Sequence, residues 1–109
     1  MGDIDLTSFL GRWQKTHEGP NWIKRLEIRQ DGGQLVVRVL GDTSPADWGE
    51  SETESLYAGA FIAQFACDEF TTELQANVNL GLLVVAGFHR FRDDRANLFT
   101  REFFYQEAS

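Results

Sequence analysis

The sequence predicts an all-β fold: one small antiparallel up-and-down β-barrel of about eight strands covering residues 1–109, with a two-sheet β-sandwich as the alternative. Three observations carry that prediction. Apolar and polar residues alternate with a period of two along most of the chain. The alternating runs are short, and compact turns rich in Gly or Asp separate them. No stretch holds a helical period; Thr7-Ser8 can cap one short turn and no more.

Taken in order, strands are expected at about residues 8–16, 23–30, 34–41, 51–58, 60–66, 70–77, 81–92 and 97–106. The clearest pair is "LEIRQDGGQLVVRVL". Leu26 and Ile28 alternate with Glu27 and Arg29, Asp31-Gly32-Gly33 turns the chain, and Leu35, Val37 and Val39 return. "GDTSPADWGES", residues 41–51, interrupts the alternation and reads as a loop that carries Trp48. Pro45 fixes its own φ, Asp47 can cap the turn through its side chain, and Gly49 permits a left-handed residue, so Trp48 is held in a defined place as plug or lid. Cys67-Asp68-Glu69 and Asp93-Asp94-Arg95-Ala96 form the later turns.

The last two strands differ from the rest. In "LLVVAGFHRFR", Leu82, Val84 and Phe88 fall on one face and Leu83, Val85 and Phe91 on the other; "LFTREFFYQ" repeats this with Phe99, Phe103 and Tyr105 against Leu98 and Phe104. An antiparallel strand with one wet face alternates cleanly. Two apolar faces imply that the outside is covered too, which predicts a homo-oligomer built through the final strands. A flattened sandwich whose core reaches both faces is the alternative.

Composition narrows the classes. With 42% hydrophobic residues, nine Phe, three Trp and two Tyr, the chain is too apolar to be disordered. A formal charge of −7 disfavours a nucleic-acid or anionic-membrane partner. Cys67 is the only cysteine, no apolar run reaches membrane-spanning length and no signal segment opens the chain, so a cytoplasmic protein is expected. Cys67 lies beside Asp68 and Glu69, whose charge disfavours its thiolate. Two distant histidines, His17 and His89, and the lack of HExxH, CxxC, phosphate-loop or nucleophile-elbow motifs argue against a metal or another cofactor.

Polar residues set among Phe and Val are the candidates for chemistry. Pairing Arg92 with Asn97 across the last turn puts Arg90 and Arg101 on one face with Phe88, Phe99, Phe103 and Tyr105, and sets His89 opposite Thr100 and Glu102 opposite Gly87. An aromatic wall with one or two guanidinium groups suits a small apolar or aromatic molecule bearing an anionic group. The alternative is that these arginines pair with acids such as Glu73 or Glu102, or lie on the rim. Trp22 begins the second strand after a Gly-Pro turn, near a barrel mouth, and Tyr57 precedes the small residues Ala58, Gly59 and Ala60. The ligand-binding set is therefore Trp22, Trp48, Tyr57, Phe88, Arg90, Arg101, Phe103 and Tyr105; Glu102, His89, Tyr57 and Tyr105 are the acid–base candidates.

Two resemblances accompany these readings. "FLGRWQ" holds a Gly-x-Trp that resembles the opening motif of lipocalins and avidins, calycin-like barrels in which that tryptophan closes one end; it implies a plug role for Trp13. "RLEI" followed by a Gly turn, "GDTSPADWG" and "LLVVAGFHRFRDDRANLFTREFF" together resemble small, largely uncharacterised bacterial proteins with a Gly-x-Cys-x-Pro-x-Asp-Cys-Asp-Trp-Gly loop and a later Arg-Phe-x-Asp turn. Gly41, Pro45, Asp47, Trp48 and Gly49 match the loop, and Arg90, Phe91 and Asp93 the turn. Thr43 replaces the first loop cysteine and the second falls in a shortened stretch, so the disulfide implied by the resemblance cannot form. The likeness covers roughly residues 23 to 105 and implies a compact all-β fold without assigning a function.

Three functions fit this reading. The first is a small-molecule-binding barrel holding its ligand near one mouth. The second is a metal-independent cyclase or isomerase of secondary metabolism, which needs a shaped apolar cavity and one or two acid–base groups. The third is a protein-interaction module with a solid barrel, and the state of the interior separates it from the other two.

Overall fold

The structure, a computed structural model, describes residues 7–17, 22–42, 46–55 and 60–107. A 3-10 turn (Thr7–Phe9) leads into β1 (Gly11–Lys15), β2 (Ile23–Asp31), β3 (Gln34–Gly41), β4 (Asp47–Ser55), β5 (Ala60–Ala66), β6 (Phe70–Asn79), β7 (Leu82–Phe91) and β8 (Leu98–Gln106). Each strand pairs antiparallel with the next, and β1 pairs with β8 to close an up-and-down barrel. The period-two pattern therefore forms a barrel rather than two separate sheets. The expected first strand loses its opening residues to the 3-10 turn.

Turn chemistry sets the register. Asp31 faces Gln34 across Gly32-Gly33, with Gly32 at a φ of 64°. Asn79 faces Leu82 across Leu80-Gly81, whose φ values of 53° and 81° are those of a type I′ hairpin turn. Leu80 is the one described residue other than glycine at positive φ, and its side chain is 97% exposed. It carries left-handed strain with no packing in return.

Inward residues form one cluster through Leu26 and Ile28, Leu35, Val37 and Val39, Leu74 and Ala76, Leu83 and Val85, and Phe104. Trp13 lies among them, and its Nε1 donates to the Phe9 carbonyl at 2.8 Å, while the Phe9 ring meets Phe61 edge-on at 5.1 Å. That bond ties the 3-10 turn to the barrel, so the Gly-x-Trp residue is structural.

Trp48 is not in a loop. β4 starts at Asp47, earlier than the alternation suggests, because a β-bulge absorbs one residue: Val39 pairs with Gly49 and Leu40 with Asp47, leaving Trp48 as the extra residue. Asp47 accepts a hydrogen bond from the Gly49 amide at 2.9 Å and one from Arg38 at 2.6 Å, and Gly49 takes a φ of 90°. The bulge buries the indole edge-on against Phe65 and Phe70. Trp48 is a plug, held as the Asp-x-Gly chemistry predicts. Thr43, Ser44 and Pro45 lie outside the described residues.

Replacing Leu80 with Asn, which tolerates the left-handed region, is expected to stabilise the fold by about 0.5–1 kcal/mol. A rise in the urea midpoint at unchanged m-value checks it.

Candidate functional site

The inner face carries one polar nest, near the barrel end that Trp22, Trp48, Phe70 and Phe91 fill. His89 on β7 is 1% exposed. Its Nδ1 lies 2.8 Å from Thr72 Oγ1 and its Nε2 2.8 Å from Thr100 Oγ1. Trp22 stacks on the imidazole at 4.5 Å and 15°, and Trp48 meets it edge-on at 6.3 Å. A neutral imidazole has one N–H donor and one acceptor nitrogen, and a hydroxyl serves either. Burial enforces that neutral form by pushing the His89 pKa down to about 4. Gly87 makes room for the ring: a Cβ there would lie 2.7 Å from His89 Nε2 and 2.6 Å from Thr100 Oγ1.

Glu102 on β8 is also buried, and its Oε2 accepts the Trp22 amide N–H at 2.9 Å. Its Oε1 has no hydrogen-bond partner among the described residues. Burial pushes the carboxyl pKa up, against the pull of N–H groups from Trp22 and Ile23. The carboxylate thus fixes the start of β2 over His89. The Lys15–Asp42 ion pair acts on Glu102 from nearby with opposed signs.

The second region lies on the outer wall. β7 and β8 pair Leu82 with Tyr105, Val84 with Phe103, Ala86 with Arg101 and Phe88 with Phe99. All eight side chains face outward. Phe88, Phe99, Phe103 and Tyr105 remain 40–58% exposed. Phe88 and Phe99 touch at 5.0 Å between ring centroids, and the Arg101 guanidinium lies 5.9 Å from the Phe103 ring centre. Among the described residues no ion pair holds Arg90 or Arg101. Beside the Phe88–Phe99 end an open cleft of about 740 Å3 crosses β5–β8, lined by Gln64, Glu73, Phe88, Arg90, Asn97 and Phe99 and reaching Thr72 and His89.

The expected ligand set is thereby divided by the barrel wall. Trp22 and Trp48 plug the interior, whereas Phe88, Arg90, Arg101, Phe103 and Tyr105 stand outside; Tyr57 lies outside the described residues. The acid–base candidates divide likewise: His89 and Glu102 face in, Tyr105 faces out. The register of the last hairpin also differs from the Arg92–Asn97 pairing. His89 faces Leu98, Gly87 faces Thr100 and Val85 faces Glu102. The cause is a wider turn, in which Asp93 accepts the Arg95 amide and β7 ends at Phe91. The displacement is two residues, so every face assignment survives. Sequence reasoning missed Gln64 of the cleft and the pinning hydroxyl Thr72; it named Glu73 only as an acid that could pair with the arginines and Thr100 only as the residue opposite His89. Thr72 was visible only as a hydroxyl at an inward position.

Burial, and then the Asp68 charge, keep the Cys67 thiol protonated. Among the described residues no three His, Cys, Asp or Glu side chains converge to hold a metal. Comparison of the chain with protein-family models, curated proteins and solved structures finds no match.

The His89 nest predicts a pH effect with a defined sign. The folded pKa of about 4 lies below the usual 6.5, so the unfolded chain binds the proton first. The stability carried by neutral His89 is complete above about pH 6.5 and is lost as pH falls towards about 4, to a limit of about 3 kcal/mol. Raised Glu102 acts oppositely, costing stability as pH rises above the usual carboxyl range. Urea titrations at pH 7.5 and 4.5 check this. His89→Gln is expected to lose less stability between the two than the wild type, by about 2–3 kcal/mol.

Proposed function

We propose that this chain is a protein-interaction barrel that works through its outer wall, with the interior serving only as core. The observation that carries this reading is the row of Phe88, Phe99, Phe103 and Tyr105 standing exposed on β7 and β8. Each ring buries roughly 150–250 Å2 when covered, so at these exposures the row offers about 400 Å2 of aromatic surface. That matches the largest patches found on monomers, which are often functional. At about 25 cal/mol per Å2 its burial is worth about 10 kcal/mol, comparable with the association cost of about 4–15 kcal/mol. A partner must add polar or further apolar contacts. The packed inner cluster, plugged by Phe9 at one end and by Trp22 and Trp48 at the other, favours this reading over a ligand held inside.

The cleft favours a second reading. A small aromatic molecule with a carboxylate would lie against Phe88 and Phe99 with its anion on Arg90. The cyclase reading gains no such support, since His89 is pinned by two hydroxyls and covered by an indole.

A photo-crosslinking side chain at position 99, compared with one at position 29 on another wall, tests the proposal in cells of the source organism. A discrete protein adduct from position 99 and none from position 29 is expected. No protein adduct from position 99, or equal adducts from both, would overturn it. Small added mass that survives native mass spectrometry and is lost with Arg90→Ala would favour the cleft ligand instead.

A further inference from the structure

We infer that the occupant of the aromatic row is a second copy of this chain, related by a two-fold axis running parallel to β7 and β8 between the stacked walls. The inference rests on the interaction reading above and names its partner. Two features of the row single out this arrangement.

The first is the size pattern. Along the row β8 presents Phe103, Tyr105 and Arg101, while the β7 residues paired with them are Val84, Leu82 and Ala86. An axis parallel to the strands swaps left for right and keeps the level along the strand. It sets β8 of one copy over β7 of the other, so three of the four β8 side chains meet a smaller one: Phe103 over the partner subunit's Val84, Tyr105 over the partner subunit's Leu82 and Arg101 over the partner subunit's Ala86. Phe99 meets the partner subunit's Phe88 ring to ring. Sheets packed face to face keep strand directions within about 30°, which this axis respects. An isologous contact of this kind closes at two copies.

The second is charge. Arg101 is the only charged residue among the four outward pairs, and its carboxylate counterpart is on the flanking strand. Gln75 on β6 pairs with Ala86, and Glu73 with Phe88. Glu73 accepts a hydrogen bond from Gln75 at 3.1 Å, and no cation holds it among the described residues. With Arg101 placed over the partner subunit's Ala86, a turn of its side chain away from the Phe103 ring brings the guanidinium towards Glu73 of the partner subunit, one outward position further along the wall, and the symmetry gives two such pairs. An axis across the strands at the Ala86–Arg101 level instead brings Arg101 onto the partner subunit's Arg101, which like charge opposes. The four rings supply about half of the roughly 800 Å2 per partner of a standard interface, and the flanking aliphatic and polar side chains of the wall must supply the rest.

Sedimentation equilibrium of the full chain tests this with Arg101→Glu, Glu73→Arg and the double swap, all surface changes whose folding circular dichroism verifies. The wild type is expected at twice the 12.4 kDa chain mass. Each single swap should weaken the dimer by at least about tenfold, and the double swap should return it to within about threefold of wild type. A wild type that stays monomeric at about 100 μM, above the Kd of a weak complex, overturns self-pairing. If position 99 still crosslinks another protein, the interaction reading stands without it. A dimer indifferent to both single swaps, or not rescued by the double, overturns the proposed axis.

Discussion

Eight strands become a barrel only where the first hydrogen-bonds to the last, and here that seam is made by β1, the shortest strand. Trp13, Gln14 and Lys15 face Gln106, Tyr105 and Phe104. Two further backbone bonds, from the Glu107 N–H to the Arg12 carbonyl at 2.8 Å and from the Thr16 N–H to the Phe103 carbonyl at 3.1 Å, extend the seam, and side chains on both sides add to it. Trp13 fills the interior and bonds the Phe9 carbonyl, Gln14 donates to Glu107, and the Gln106 amide donates to the Leu10 carbonyl. Without this seam β8 would be an edge strand, and its aromatic outer face would continue into an open row of N–H and C=O groups, the usual template for aggregation. Closure leaves only side chains to be covered.

Closure also decides what the interior can be. An eight-stranded barrel encloses a space that side chains fill or that holds one small ligand. Here three indoles, several Phe rings and an imidazole occupy it, and the polar groups among them answer one another: Thr72 and Thr100 to His89, the Trp22 amide to Glu102. The nest fixes Trp22 over His89 and so seals the end that the Trp48 bulge also plugs. Inside, only Glu102 Oε1 goes without a hydrogen-bond partner among the described residues; outside, rings stand in water and, among the described residues, no ion pair holds Arg101 or Glu73.

Much of this was legible in the chain because its cause is local. Period-two alternation gives strands, and the Asp-Gly-Gly turn and the Asp47-x-Gly49 chemistry act within a few residues. The doubled apolar faces of "LLVVAGFHRFR" and "LFTREFFYQ" were visible for the same reason. Face parity survived a register shift because the shift was even. What parity lacks is a sign. On strands apolar on both faces, nothing local says which face is inside, so Phe88, Arg90 and Phe103 read equally well as cavity wall or outer wall. The β1–β8 seam settles it, and it joins residues at opposite ends of the chain. Trp48 was misplaced for a related reason: a bulge breaks alternation and so resembles a loop.

The central claim is that this barrel is filled by its own side chains and acts from outside. Methyl NMR under xenon pressure tests it most directly, since xenon enters apolar holes too small for most ligands. The account predicts no saturable shifts at the methyls of Val37, Leu74, Leu83 and Val85, with any response confined to Val84 and Leu82 on the outer wall. Saturable shifts at the inner methyls would reveal an internal cavity and contradict it.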